Sequence, residues 1–261
     1  MSPYGTVART GLPSGELLPS SLWPTRNPAT TLSVHHLNLA STLALPVDSD
    51  GASLIDHLRY TFSKTIEDGR TYPQEESNAF GAEGKAFEAY FFAADDVFVG
   101  VVEDANGSVE GRTGVEIEGT EGRLIEPSGK VTAGASVEAA RKGRTWKEAV
   151  GGFYYVKPNY PGRSSHICNA GFVVSHSHRG LSIGSTLGKS YLHYAPRLGY
   201  KASVFNLVYV NNIASVRIWD NLGFVRAGLI PKAGRLRCQG ERGDRGEEEY
   251  VDAVVFYKSF E

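Results

Sequence analysis

The stretch Phe172-Val-Val-Ser-His-Ser-His-Arg-Gly-Leu-Ser-Ile-Gly184 decides the fold. It leaves an apolar strand, Asn169 to Val174, and passes a glycine turn at 180 to 184. It then enters a segment with Ile183, Leu187, Tyr191, Tyr194 and Leu198 at helical spacing, closed by Pro196 and Gly199. The first N–H groups of such a helix have no helical partner, and with the helix dipole they form a site for phosphate oxygens. A plain strand-to-helix turn would carry similar letters. So would a nucleotide P-loop, because Gly188-Lys-Ser190 follows, but that loop requires glycine at the position held here by Ile183. Leu187 and Tyr191 also place the Gly-Lys-Ser run inside the helix rather than in a loop.

Downstream of this stretch, Val204 to Val210 is a continuous apolar strand with one polar intruder, Asn206. A helix over Ile213 to Leu222 stops at Gly223, and strands near Phe224 to Ile230 and Val251 to Tyr257 flank a charged loop, 240 to 249. Upstream, Thr31 to Leu37 reads as a strand. Leu54, Ile55, Leu58, Phe62 and Ile66 mark a helix ended by Gly69, and Ala86, Phe87, Tyr90 and Phe91 suggest a shorter one. Val97 to Val102 and Gly152 to Val156 are further strands. This order of elements predicts an α/β fold with at least one parallel strand pair.

The 261 residues carry 27 Lys+Arg against 29 Asp+Glu, with no sustained basic block, so no nucleic-acid partner is expected. Apolar runs such as Phe98-Val-Gly-Val-Val102 are far too short for a bilayer, and no membrane association is expected. Two cysteines, Cys168 and Cys238, exclude a disulfide framework and favour a reducing compartment. Residues 1–30 read as a flexible arm. Their scarcity of acids also resembles a mitochondrial transit peptide, an alternative poorly served by two arginines. Residues 31–261 then form the domain, with a solvated, glycine-rich insertion expected at about 105–150.

Arg179-Gly-Leu-Ser-Ile-Gly184 and Asn212-Ile-Ala-Ser-Val-Arg-Ile-Trp-Asp-Asn-Leu-Gly-Phe224 together resemble the two signatures of the GNAT superfamily of N-acetyltransferases, with Ser182 where the first glycine is usual. Further runs extend the likeness to the fungal proline-analogue N-acetyltransferases. They include Thr71-Tyr-Pro-Gln74, Phe153-Tyr-Tyr-Val-Lys-Pro-Asn-Tyr160, Cys168-Asn-Ala-Gly-Phe172 and Phe205-Asn-Leu-Val208. The resemblance implies a mixed, mostly antiparallel sheet flanked by helices, with a splayed parallel pair forming an acetyl-CoA cleft. It also implies a cytoplasmic homodimer that acetylates the ring nitrogen of small imino acids such as azetidine-2-carboxylate and hydroxyproline.

The same resemblance assigns roles. Phe172, Val173 and Val174 would hold the pantetheine arm, and Arg179, Gly180, Ser182, Ile183, Gly184 and Ser185 would wrap the pyrophosphate. Asn212 would contact acetyl-CoA, Asn169 would hold the substrate carboxylate, Phe172 and Tyr154 would wall its pocket, and Asn206 would serve catalysis. From the residues alone, an unpaired amide in an apolar strand costs roughly 1–3 kcal/mol, so Asn206 requires a partner, whether structural or catalytic. Many relatives place a tyrosine acid where this chain has Trp219. An indole cannot return a proton, so the thiolate is expected to take one from water or from the ammonium product, with water relayed through an amide such as Asn206 as the expected base. His166, Cys168, His176 and His178 lack zinc-ligand spacing, so no metal is expected. Cys168 as an acyl nucleophile is disfavoured because such enzymes transfer directly. A CoA-binding module without catalysis, or an enzyme acting on a peptide N-terminus or another small amine, are the competing readings.

Overall fold

A computed structural model describes residues 16–80, 85–105, 114–125, 133–238 and 247–261. Ten strands among these residues form one sheet: β1 (Ser21–Pro24), β2 (Thr30–Leu37), β3 (Val97–Asp104), β4 (Gly114–Glu116), β5 (Arg123–Ile125), β6 (Val150–Pro158), β7 (Ile167–Val174), β8 (Ala202–Tyr209), β9 (Val225–Arg237) and β10 (Glu248–Ser259). Their spatial order is β4-β5-β1-β2-β3-β6-β7-β8-β10-β9. Every neighbouring pair is antiparallel except β7 and β8, which are parallel and joined by the helix Ile183–Arg197.

Alternation along the strands feeds two cores, one on each face. On one face the helix Leu54–Asp68 buries Leu54, Leu58, Phe62 and Ile66. Ser53 caps its first turn, accepting from the Asp56 amide, and Gly69 ends it in a left-handed conformation. On the other face, Leu187, Tyr191 and Tyr194 of Ile183–Arg197 pack with Phe98, Phe205 and Trp219. No helix among the described residues is long and apolar enough to cross a membrane.

The parallel pairing of β7 with β8 is short. Only Ile167↔Ala202 and Cys168↔Ser203 are in register, and the strands then part to open a cleft on their C-terminal side. The mixed, mostly antiparallel sheet with one splayed parallel pair is therefore present as expected.

Two segment assignments need correction. The expected arm does not extend to residue 30, because β1 pairs with β2 and β5, and Trp23 is fully buried with its indole donating to the Ser21 hydroxyl at 2.7 Å. The expected insertion at 105–150 is not a solvated loop over its last third. There the helices Ala133–Arg141 and Trp146–Ala149 bury Val137, Ala140, Trp146 and Ala149 completely. Both errors share a cause: single large apolar residues among glycines and charges give no period to read, yet each anchors its segment. Within the 105–150 stretch β4 and β5 also join the sheet, whereas residues 1–15, 106–113 and 126–132 lie outside the described residues.

Candidate active site

At one end of the cleft, β7 leads through a turn at His176–His178 into the helix Ile183–Arg197. Gly180 and Ser182 both adopt left-handed backbone angles, φ 82° and 61°. For serine that conformation costs roughly 1–2 kcal/mol, which explains why a glycine is the usual occupant. Ser182 nonetheless preserves the loop's shape. No side chain caps the helix, so the first-turn amides of Ile183, Gly184 and Ser185 are available to an anion.

Arg179 is exposed, and its guanidinium lies 3.3 Å from Asp68, which also accepts from His176 at 3.0 Å. Burial pushes the Asp68 carboxyl up, but these two partners outweigh it and hold the group below its ordinary range. An exposed ion pair contributes little, so exchanging Asp68 for a phosphate costs Arg179 little. Asn212, which lines the cleft, accepts from the Ser215 amide at 3.2 Å as the cap of the helix Ile213–Asn221.

The wall between these points is the unpaired edge of β7. Because the Ile167 carbonyl accepts from the Asn159 amide on the β6 side, the alternate residues Ala170, Phe172 and Val174 present backbone groups to the opposite, open edge. The Phe172 carbonyl accepts from the Tyr72 hydroxyl at 3.1 Å, and burial pushes that phenol well above its usual range, so it remains a donor. A cleft of about 1810 Å³ joins this edge to the glycine turn, with Trp219, Asn206 and Asn212 on its far side. An unpaired strand edge followed by an uncapped helix start is a donor set that fits an extended ligand with an amide arm and a pyrophosphate, as acetyl-CoA has.

At the point where β7 and β8 part, three asparagines meet. Asn169 Nδ2 donates to Asn159 Oδ1 at 2.9 Å, and Asn206 Nδ2 donates to the same oxygen at 2.6 Å. Asn159 Nδ2 returns a bond to Asn206 Oδ1 at 3.2 Å. Asn159 follows β6 and is the hub. Sequence reading placed Asn169 and Asn206 on one cleft and missed their link, because Asn159 lies in a proline-punctuated loop where an asparagine attracts no notice.

The aromatic wall also differs from expectation. Tyr154 is fully buried on the face of Ile183–Arg197, stacked between Phe98 and Phe172 at 4.9 Å each and hydrogen-bonded to Ser190. Its neighbour Tyr155 points the other way. Tyr155 lines the cleft with Tyr90, their hydroxyls 3.1 Å apart, and its ring covers Gly171 so closely that a Cβ there would lie 2.6 Å from it. Val173 likewise turns its side chain into the core and its backbone toward β6, so of the three strand residues only Phe172 and Val174 offer backbone to a ligand.

Trp219 donates its indole N–H to Ser215 at 3.0 Å and packs on Phe172 and Phe205. Cys168 is buried against Tyr191, and burial pushes its thiol up to about 12, which excludes it as a nucleophile. Lys189 of the Gly-Lys-Ser run pairs with Glu121 at 2.6 Å, outside the glycine turn. No three His, Cys, Asp or Glu side chains among the described residues converge on a metal site.

A strap crosses beside Asp68, the partner of Arg179. The Arg237 amide donates to the Gly69 carbonyl at 2.9 Å and its guanidinium to the Glu67 carbonyl at 2.7 Å, while Arg235 pairs with Glu75 at 2.9 Å. This joins the β9–β10 hairpin to the segment after Leu54–Asp68.

Residues 121–224 match the model of the acetyltransferase (GNAT) family. The chain is 53% identical over 115 residues to N-acetyltransferase aca1 of Schizosaccharomyces pombe, spanning 44% of this chain and 51% of that protein. It is 26% identical over 252 residues to Protein SPT10 of Saccharomyces cerevisiae, spanning 93% of this chain and 37% of that protein. The chain thus spans about half or less of the length of the curated relatives it matches. Among solved structures, a GCN5-related N-acetyltransferase from Kribbella flavida superposes with a TM-score of 0.52 at 21% identity, covering 87% of this chain and 97% of that one. The yncA protein of Salmonella typhimurium, solved with acetyl-CoA, gives 0.51 at 13% identity, covering 88% and 94%. The fold is the GNAT fold.

Proposed function

We propose that this GNAT-fold chain is an acetyl-CoA-dependent N-acetyltransferase whose acceptors are small cyclic imino acids such as azetidine-2-carboxylate and hydroxyproline. The observation that carries the reading is the asparagine hub where β7 and β8 part, between a strand edge suited to a pantetheine arm and the Tyr90–Tyr155 pair. Bound acetyl-CoA supplies the activated acyl group. The Phe172 and Val174 amides on the open edge supply fixed donors beside it. Asn169 presents its remaining amide N–H toward an acceptor carboxylate, and Asn206 orients the ring nitrogen or a water that takes its proton. With Trp219 committed to Ser215 and Cys168 buried, water is the proton carrier.

The left-handed Ser182 leaves the anion loop intact, so the departure from glycine does not argue against acetyl-CoA binding. The S. pombe N-acetyltransferase match adds to the transferase reading. A thiol-release assay with acetyl-CoA against azetidine-2-carboxylate, 4-hydroxyproline, proline, spermidine and a short peptide tests it. Release with the small-ring acids alone is the expected pattern, and release with the peptide alone would move the assignment.

A further inference from the structure

Lys157 is a cation without a carboxylate. It lies in β6 in register with Asn169 of β7, so both side chains rise from the same face of the sheet. Its Nζ lies 4.2 Å from the ring centroid of Tyr90 and 4.3 Å from that of Tyr155, the two rings that wall the acceptor end. By contrast, two nearby arginines have acids: Arg179 has Asp68 and Arg235 has Glu75. No acid among the described residues pairs with Lys157, and burial alone brings its ammonium down to about 8. A desolvated ammonium held only by ring faces is a costly arrangement. It becomes favourable when a ligand brings the anion.

The amides cannot supply that charge. Asn169 already spends one N–H on Asn159, and all three asparagines are neutral. Resting on the transferase reading above, we infer that Lys157 is the cationic half of the acceptor anchor: with Asn169 it takes a carboxylate, so the acceptor is a ring amine bearing an acid rather than a plain amine. The neutral anchor expected from Asn169 alone is thereby replaced by a charged one, and Tyr90 and Tyr155 hold the ammonium in place before the ligand arrives. Lys157 acts here in binding, and the proton of the reacting amine still leaves through water.

The test is binding to the CoA-loaded protein by calorimetry at pH 7, with azetidine-2-carboxylate and azetidine-2-carboxamide as probes. The unaltered protein should prefer the carboxylate at least tenfold. Lys157→Met and Lys157→Gln should weaken the carboxylate about 10- to 100-fold, the range of one lost charged hydrogen bond, and leave the carboxamide within about threefold. Lys157→Arg should recover part of the preference. Thermal melting at pH 7 should show Lys157→Met as stable as the parent or more so, since the desolvated charge is gone; a merely structural lysine would lower it.

Equal affinity for both probes, an intact preference in Lys157→Met, or no binding of either probe would overturn the assignment. Turnover reports separately. A protein that acetylates both probes equally keeps the transferase reading and loses the lysine anchor. One that binds the carboxylate through Lys157 without turnover keeps the anchor and loses the transferase reading.

Discussion

Replacing Asn159 by alanine removes the hub that joins the two asparagines expected from sequence. Three hydrogen bonds vanish, at 2.6, 2.9 and 3.2 Å, and both Asn169 and Asn206 are left with an amide N–H facing the cleft. Each bond contributes about 0.5–1.5 kcal/mol net, but water in the cleft replaces part of what is lost. A stability cost of about 1–2 kcal/mol follows, or roughly 2–4 °C in Tm for a chain of this size. The kinetic cost is larger, because the hub fixes two groups on strands that no longer pair with each other beyond Cys168↔Ser203. Displacement of a positioning group by about 1 Å can cost on the order of 100-fold, so kcat/KM should fall roughly 10- to 100-fold. Steady-state thiol release over a range of imino-acid concentrations separates the contributions. Asn169→Ala should mainly raise KM, Asn206→Ala should mainly lower kcat, and Asn159→Ala should do both. The double variant Asn159→Ala/Asn206→Ala should be less impaired than the product of the single effects. Strictly multiplicative losses, or unchanged kinetics in Asn159→Ala despite a lowered Tm, would refute the idea that the hub positions the acceptor.

Gly184→Glu places a carboxylate beside the uncapped helix amides, where even a Cβ comes within 3.3 Å of Ile218, and should weaken acetyl-CoA binding more than about 100-fold by calorimetry; near-normal affinity would remove the loop assignment. Tyr154→Phe, altering a buried residue, should cost about 1 kcal/mol or less in urea unfolding and leave the preference for azetidine over proline unchanged, whereas Tyr155→Ala should narrow it; the opposite result would restore Tyr154 to the pocket. Burial brings His57 down to about 4 from 6.5, so the unfolded chain binds the proton first, and stability present above pH 6.5 should fall by up to roughly 3 kcal/mol as pH drops to about 4. Urea midpoints that stay flat from pH 7 to 4.5 would contradict this, and His57→Gln should shallow the slope.

Much of the sheet was legible because its strands are apolar runs bounded by glycine and proline, and the phosphate loop because a strand, a glycine turn and a helical stripe occur in immediate succession. The α/β order and the parallel pair followed from those elements, and the splay only from the resemblance. What sequence did not yield was the side each residue takes. Tyr154 and Tyr155 are adjacent aromatics in a strand buried on both faces, so no polar alternation marks which one meets the cleft, and in the fold it is Tyr155 that lines it. Asn159 and Lys157 escaped for a related reason: their roles depend on register with β7 and on contacts up to 47 residues away, which no local pattern carries. β1 was hidden by its brevity, four residues anchored by Trp23 in a stretch rich in proline and serine.

The central claim is that a single cleft holds acetyl-CoA along β7 and a small imino acid at the asparagine hub. Its most direct measurement is acetyl transfer itself: incubation with acetyl-CoA and azetidine-2-carboxylate, with the product resolved by mass spectrometry. The account predicts N-acetylated azetidine-2-carboxylate formed in step with CoA release and lost in Asn206→Ala. CoA release that does not depend on the imino acid, with no N-acetyl product, would contradict it.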